Sequence, residues 1–154
     1  ENYPNIIVTQ TLSKAVGLAG IRLGILYANK EIISVLNKIK PPYNVNQLTQ
    51  NKAIEILKDY EKINATTQVL IEQKEVLKQA LENCSFVEKI YPSDANFILI
   101  KVDNANKRYD EFLEKGIVIR NRTNDDLCKN CLRITVGTEE ENSKLIENLI
   151  DLSR

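Results

Sequence analysis

Histidine is missing from all 154 residues, and so is methionine. The first absence removes the side chain most often used as a general base near neutral pH, and with it a common zinc ligand. The second, with a start "ENYPNIIV" that runs almost at once into apolar residues, leads us to expect a piece of a longer protein. Any excess of one charge is lacking too. Lys+Arg and Asp+Glu number 21 each, and no basic stripe interrupts the mixture, which argues against a nucleic-acid partner or an anionic membrane surface. No apolar run approaches the roughly 20 residues that span a bilayer. "FILI" and "GIVI" are among the longest, and no charged-then-apolar leader precedes a small-residue cleavage site. A cytoplasmic protein is expected. With 43% hydrophobic residues, the chain can bury a real core, as one domain or as one domain plus part of another.

Cysteine is scarce: three residues, an odd number, argue against a disulfide framework. Cys128 and Cys131 form a C-x-x-C, half of a zinc site or a redox pair. No second pair accompanies it, so a complete metal site would need distant carboxylates or another chain. A thioredoxin-like pair opens a helix, whereas "CLRITVG" continues from Cys131 as a strand. Two reduced thiols at a loop and a strand start, and no metal, are the expectation.

What is present is an alternation of strands and helices. "NIIV" (5–8) and "IRLGILYA" (21–28) read as buried strands, and Asn29 can cap a helix over 30–40 that Pro41 and Pro42 stop. From Tyr43 to Tyr91 neither Gly nor Pro occurs, and Ile56, Tyr60, Ile63, Leu70, Leu77 and Leu81 recur at helical spacing. Two helices meeting near 58–62 are predicted, since a single one would be unusually long. "FVEKIYP", "NFILIKV", "IVIRNR" and "LRITV" read as strands, Asn104 to Lys115 as an amphipathic helix ended by Gly116, and Thr138 with Glu141 as a capping box for a last helix. The fold class is therefore α/β, with helices packed on a small sheet. A boundary is expected near Tyr60, giving domains 1–60 and 61–154.

The stretch "TLSKAVGLAGIRLG" (11–24) is too specialised for an ordinary loop. It holds three of the five glycines, Gly17, Gly20 and Gly24. A P-loop needs its lysine after the glycines, but Lys14 precedes them, and the glycine spacing is not G-x-G-x-x-G. What remains is a lysine among groups suited to a phosphorylated carbonyl compound. Lysine amines form Schiff bases when desolvation keeps them neutral, and the small apolar surroundings of Lys14 can supply that effect. Thr11 and Ser13 offer hydroxyls, and Arg22 offers a planar guanidinium for phosphate oxygens. The plain alternative is an exposed lysine in a turn with Arg22 on a surface carboxylate. In "LRITV", alternation sets Leu132, Ile134 and Val136 on one face and Arg133 and Thr135 on the other; Arg120 and Arg122 of "IVIRNR" share a face by the same period.

The lysine stretch resembles the lysine motif of fold-type I pyridoxal-phosphate aminotransferases, the histidinol-phosphate aminotransferase family in particular. "PPYNVNQLTQ", "YPSDANFILIK", and "GIVIRNR" followed by "CLRITVGTEEEN" match in the same order, so the resemblance covers nearly the whole chain. It implies a C-terminal part of such an enzyme: an incomplete large-domain piece followed by a small α/β sandwich domain. It further implies pyridoxal 5'-phosphate as cofactor, Lys14 as the lysine that bonds it and moves the proton, and Thr11, Ser13 and Arg22 as ligands of its phosphate. Arg133 would bind the substrate α-carboxylate and Arg120 the substrate phosphate. The substrates would be histidinol phosphate with 2-oxoglutarate and glutamate, as in histidine biosynthesis, and the full-length protein a homodimer with "PPYNVN" near its interface. Family members run to roughly twice this length, and the residues that engage the pyridine ring cannot be assigned here, so the isolated piece is expected to be inactive. Related readings are a threonine-phosphate decarboxylase, another class I or II aminotransferase, or a noncatalytic effector-binding module of the same fold.

Overall fold

The computed structural model describes residues 3–153; residues 1, 2 and 154, the outer ends of the two expected domains, lie outside them. The chain divides into two compact units between Thr66 and Thr67.

The first unit begins with a strand, β1 (Val8–Thr11), paired antiparallel with β2 (Gly24–Tyr27) in the register Val8↔Tyr27 to Thr11↔Gly24. The second strand is shorter than expected, and the first has the expected length but is shifted by three residues. Ile6 and Ile7 precede β1 and are half exposed, and β1 is exposed along its whole length. A two-stranded ribbon has no further ladder partner in its own unit, so the apolar residues that read as buried stay at the surface. Helix α1 (Lys30–Ile39) starts where the Asn29 side chain accepts the Ile32 N–H at 3.0 Å. It ends before the proline pair. Asn46 caps α2 (Gln47–Leu57) in the same way through the Thr49 N–H at 2.9 Å. Helix α3 (Tyr60–Glu82) follows after a two-residue break, so the long helical segment is two helices that meet where the spacing predicted.

The second unit is an antiparallel sheet of four strands, β3 (Val87–Ile90), β4 (Phe97–Val102), β5 (Arg120–Asn121) and β6 (Cys131–Thr135), in the order β3-β4-β6-β5. Its two faces follow from the period-2 alternation of side chains. Ile98, Ile100 and Val102 of β4 and Leu132 and Ile134 of β6 are buried. They form one core with Leu77 and Leu81 of α3, Phe112 of α4 (Ala105–Glu114), and Leu145 and Leu149 of α5 (Glu139–Leu152). The core is helix on sheet, as expected for an α/β layer. Truncating a fully buried aromatic such as Phe112 to Ala would cost about 3–5 kcal/mol. Helix α4 is capped by Asn104 through the Lys107 N–H at 3.1 Å and stops at Gly116, whose φ of +73° is one that side chains with a Cβ rarely adopt. The capping box of α5 is formed in both directions: Glu141 N–H to Thr138 Oγ1 at 3.3 Å, and Thr138 N–H to Glu141 Oε2 at 2.8 Å.

The opposite face of the sheet carries Phe97, Leu99 and Lys101 of β4 beside Cys131, Arg133 and Thr135 of β6, in the register Phe97↔Thr135, Leu99↔Arg133, Lys101↔Cys131. The expected strand "IVIRNR" is reduced to Arg120–Asn121. Arg122 lies past its end and is ion-paired to Asp125, so it does not share a strand face with Arg120. A carboxylate three residues on captures the second arginine in a turn.

Candidate functional site

The pairing Thr11↔Gly24 closes the β1–β2 hairpin around a loop, residues 12–23, that contains most of the lysine stretch. The loop is tied internally. Leu12 is 2% exposed and anchors it, its carbonyl accepting the Leu18 N–H at 2.8 Å. Gly17, at φ +73°, turns the chain and donates its N–H to the Lys14 carbonyl at 2.8 Å. The Ser13 N–H donates to Thr11 Oγ1 at 3.1 Å. Ala19–Ile21 form a single 3₁₀ turn, and the Ile21 carbonyl accepts the Thr49 hydroxyl of α2 at 3.3 Å.

Arg22 closes that turn in the left-handed region, φ +54°, where a residue with a Cβ sits at a cost of about 1 kcal/mol or more. The conformation sends its Nη1 back to the Ala19 carbonyl at 3.2 Å, leaving other guanidinium N–H donors without a protein partner among the described residues. Thr11, Ser13, Lys14 and Arg22 are thus gathered on one loop by one hairpin register. The surface-carboxylate alternative for Arg22 finds no partner there. The expected desolvation of Lys14, in contrast, is not supplied by its own loop: Lys14 is exposed. Ala15, Gly17, Ala19 and Gly20 are too small to cover a four-carbon stem.

The donor set of this loop has a definite chemical character. Residues 11–24 include hydroxyls, an amine and a guanidinium but no carboxylate. Such a set fits a phosphate held by hydroxyl and guanidinium donors, with a single amine in reach of a carbonyl carbon. A phosphorylated aldehyde cofactor is compatible with these residues.

In the second unit the sheet register sets Arg120 of β5 directly opposite Arg133 of β6. Like charges facing each other across a ladder are unfavourable by a few tenths to about 1 kcal/mol. Neither guanidinium has a carboxylate partner among the described residues, and Arg133 Nε is buried with no hydrogen-bond acceptor. What supports Arg133 is an aromatic ring: its Cζ lies 5.1 Å from the centroid of Phe97, the diagonal neighbour on β4. This platform was not anticipated from sequence. The alternation of "NFILIKV" carries the signal, because it puts Phe97 on the face away from Ile98 and Ile100. Lys89 faces Lys101 on the same side of the sheet, and Lys101 is paired with Glu88 at 2.9 Å. That carboxylate, by hydrogen bond and charge, holds the Lys101 ammonium above its ordinary range. The open face is therefore basic, with its two arginines left free for an anion.

A cleft of about 430 Å³ in the second unit runs beside Ile117, Thr135 and Asn142, and one of about 620 Å³ in the first runs beside Tyr3, Tyr27 and Lys30. Neither is lined by any of the six expected site residues, of which Thr11, Lys14, Arg22 and Arg120 are exposed and Ser13 and Arg133 partly buried. Among the described residues no three His, Cys, Asp or Glu side chains gather as a metal site, and no helix is long and apolar enough to cross a membrane.

Residues 1–149 match the model of the aminotransferase class I and II family. The chain belongs to that family. Curated relatives of high similarity are histidinol-phosphate aminotransferases: that of Flavobacterium johnsoniae is 63% identical over 97% of this chain and 43% of its own length, and that of Christiangramia forsetii 60% over 99% and 43%. The chain spans less than half the length of these relatives. The crystal structure of the histidinol-phosphate aminotransferase from Clostridium acetobutylicum superposes with a TM-score of 0.88 at 27% identity, covering 99% of this chain and 47% of that one. The fold is also that of the enzyme from Sinorhizobium meliloti, solved in complex with pyridoxal-5'-phosphate, at a TM-score of 0.80 and 23% identity over 98% of this chain and 42% of that one. The α/β fold is thus part of the fold of these aminotransferases, as the strand and helix pattern and the motifs implied.

Proposed function

We propose that this chain supplies the cofactor lysine and the substrate-anion contacts of a pyridoxal-phosphate-dependent aminotransferase that exchanges the amino group between histidinol phosphate and 2-oxoglutarate. The observation that carries the reading is the hairpin register Thr11↔Gly24, which collects Thr11, Ser13, Lys14 and Arg22 on one carboxylate-free loop. The free, mutually opposed guanidinium groups of Arg120 and Arg133 support it independently. In this reading residues 1–60 belong to the large cofactor-binding domain and residues 61–154 form the small domain.

The roles divide by chemistry. The Thr11 and Ser13 hydroxyls and the Arg22 guanidinium hold the cofactor phosphate. When bound, pyridoxal phosphate supplies the electron sink that lets the substrate Cα lose its proton. The Lys14 amine binds the cofactor and, when the substrate amine displaces it, takes the Cα proton and delivers it as a general base and acid. Exposed as it is on its own loop, Lys14 acquires its working environment only with substrate and cofactor around it. Arg133, stiffened by Phe97, takes the α-carboxylate of glutamate, and Arg120 takes the phosphate of histidinol phosphate. The full-length protein acts as a homodimer, and the 41–46 turn, with Tyr43 97% exposed, is the segment we assign to the subunit interface.

The test uses the full-length protein with cofactor. Borohydride reduction followed by peptide mapping should leave the pyridoxyl label on Lys14; a label on Lys30 or Lys38 rejects the assignment. Amino-group exchange without release of carbon dioxide separates this activity from a phosphate-ester decarboxylase of the same fold. Arg120→Ala should impair histidinol phosphate far more than an unphosphorylated aromatic amine, whereas Arg133→Ala should impair glutamate. Losing one member of a desolvated charge pair costs about 2–5 kcal/mol, roughly 30-fold to several-thousand-fold in affinity. Equal losses on both substrates with either variant would overturn the division of labour.

A further inference from the structure

The C-x-x-C pair takes no part in the function proposed above, and its geometry is specific. Cys128 and Cys131 are the first and last residues of a turn closed by the Cys131 N–H to the Cys128 carbonyl at 2.9 Å. Residues that close such a turn have Cα atoms under about 7 Å apart, and disulfides need about 4.4–6.8 Å. Three further bonds hold the turn: Val102 N–H to the Asn130 carbonyl at 2.9 Å, Arg122 N–H to the Cys131 carbonyl at 2.9 Å, and Asn130 Nδ2 to the Asp103 carbonyl at 3.2 Å. Asn130 takes the left-handed conformation, φ +59°, that the turn requires. The Cys131 thiol donates to the Lys129 carbonyl, inside the same turn, at 3.8 Å. The backbone spacing of this turn lies in the range that a cross-link requires.

The two thiols are unequal. Cys131 is 1% exposed, and burial, followed by the nearby Cys128 sulfur, pushes its thiol above the ordinary range. Cys128 is half-buried and reaches solvent. The third thiol, Cys84, is buried, donates to the Ala80 carbonyl at 3.4 Å, and is also pushed up, chiefly by burial. Attack needs a thiolate with access. The order of events is therefore set by position, with Cys128 outside and Cys131 behind it.

We propose that Cys128 and Cys131 are a reactive dithiol that low-molecular-weight disulfides convert to an intramolecular disulfide at the entrance to β6. The Cys128 thiolate attacks one sulfur of R–S–S–R, forming a protein–S–S–R bond and releasing one RS⁻, which takes up the proton Cys128 gave. Cys131 then loses its proton and attacks the Cys128 sulfur, forming the protein disulfide and releasing the second RSH. Two protein thiols are oxidised and one small disulfide is reduced to two thiols. Because Cys131, Arg133 and Thr135 share a face of β6, the cross-link forms on the same face as the free arginines.

The experiment treats the folded chain with 2-hydroxyethyl disulfide, alkylates the remaining thiols and maps the peptides by mass spectrometry. Expected are a Cys128–Cys131 linkage, two released small thiols per chain and alkylation confined to Cys84. Cys131→Ala should stop at the hydroxyethyl adduct on Cys128 with one thiol released. Cys128→Ala changes only a half-buried turn residue, so it keeps the test valid if the buried substitution misfolds; it should leave Cys131 unreacted and available only to alkylation after unfolding. A lasting adduct on Cys128 of the unsubstituted chain, alkylation of all three cysteines, or an adduct on Cys131 in the Cys128→Ala chain would overturn the proposal.

Discussion

Replacing Arg133 by Met should stabilise the second unit while abolishing its response to carboxylates. In the chain without ligand, Arg133 is a cost. Its buried Nε–H has no acceptor, which is worth about 1–3 kcal/mol of lost hydration. It also faces Arg120 across the ladder, worth about 0.2–1 kcal/mol. Against these stands the Phe97 contact at 5.1 Å, about 0.5–1 kcal/mol. Methionine keeps a long flexible stem on the sheet and removes all three. The net expectation is a gain of about 2 kcal/mol, which at a urea slope of about 1–3 kcal/mol per molar moves the midpoint up by roughly one molar. Amide exchange at the β4–β6 ladder reads this locally, so the first unit does not blur the measurement. Glutamate, whose α-carboxylate is assigned to Arg133, adds about 1.4 kcal/mol at ten times its dissociation constant to a protein that binds it, and it should add this to the unsubstituted chain alone. A Met variant destabilised by more than about 1 kcal/mol, or one with an unchanged glutamate response, would refute the claim that this guanidinium is held ready for a carboxylate.

Two other substitutions test how the second unit is held. Thr138→Ala removes the acceptor of the Glu141 N–H and should cost about 1 kcal/mol in thermal or urea unfolding. The Thr138 N–H first, and its hydroxyl second, keep the Glu141 carboxyl below its ordinary range. Its folded pKa is thus lower than its unfolded one, so the stabilisation is present above about pH 4.3 and is lost as pH falls through the folded value; Glu141→Gln should remove that part of the acid dependence. Arg108 clasps Asp103 with Nε to Oδ1 at 3.0 Å and Nη2 to Oδ2 at 2.7 Å, and its Cζ lies 4.4 Å from the Phe86 ring centroid. Arg108→Lys loses the fork and the stacking and should cost about 1 kcal/mol, the exposed carboxylate limiting the ionic part. The Arg108 hydrogen bonds hold the Asp103 carboxyl below its usual range, so this contribution, complete above about pH 3.9, should fade in acid unfolding as pH drops through the lowered value. An identical acid profile in Asp103→Asn would refute it.

The second unit was legible because its elements announce themselves locally. Asn104 and Thr138 can each satisfy orphan N–H groups of the following turn, Gly116 supplies a positive φ, and alternation in "FILIKV" and "LRIT" needs only one covering layer to become a buried face. Those signals fixed helix ends, strand faces and the separation of Arg133 from Leu132 and Ile134. What sequence could not give was lateral register. That Arg120 lands opposite Arg133, or that Phe97 lies under its guanidinium, depends on how three strands slide along one another, and a one-residue slip would have dissolved both contacts.

The first unit shows the opposite case, and the reason is physical rather than a failure of pattern. "NIIV" and "ILYA" have the composition of strands buried on both faces, but composition reports what a segment can bury, not what covers it. Two strands can satisfy part of each other's backbone and still leave Val8 and Tyr27 54% exposed. The loop they close needs less: one hairpin register, Leu12 beneath it, a glycine at positive φ and an arginine in the left-handed region are all contained in residues 8–27. The candidate site was therefore readable where the strands that frame it were not, because its residues are brought together by local hydrogen bonds, whereas strand burial is a long-range property. Lys14 marks the limit between the two. Its position follows from the loop, while the desolvation that would make its amine reactive, expected from small neighbours, has to come from atoms those neighbours leave room for.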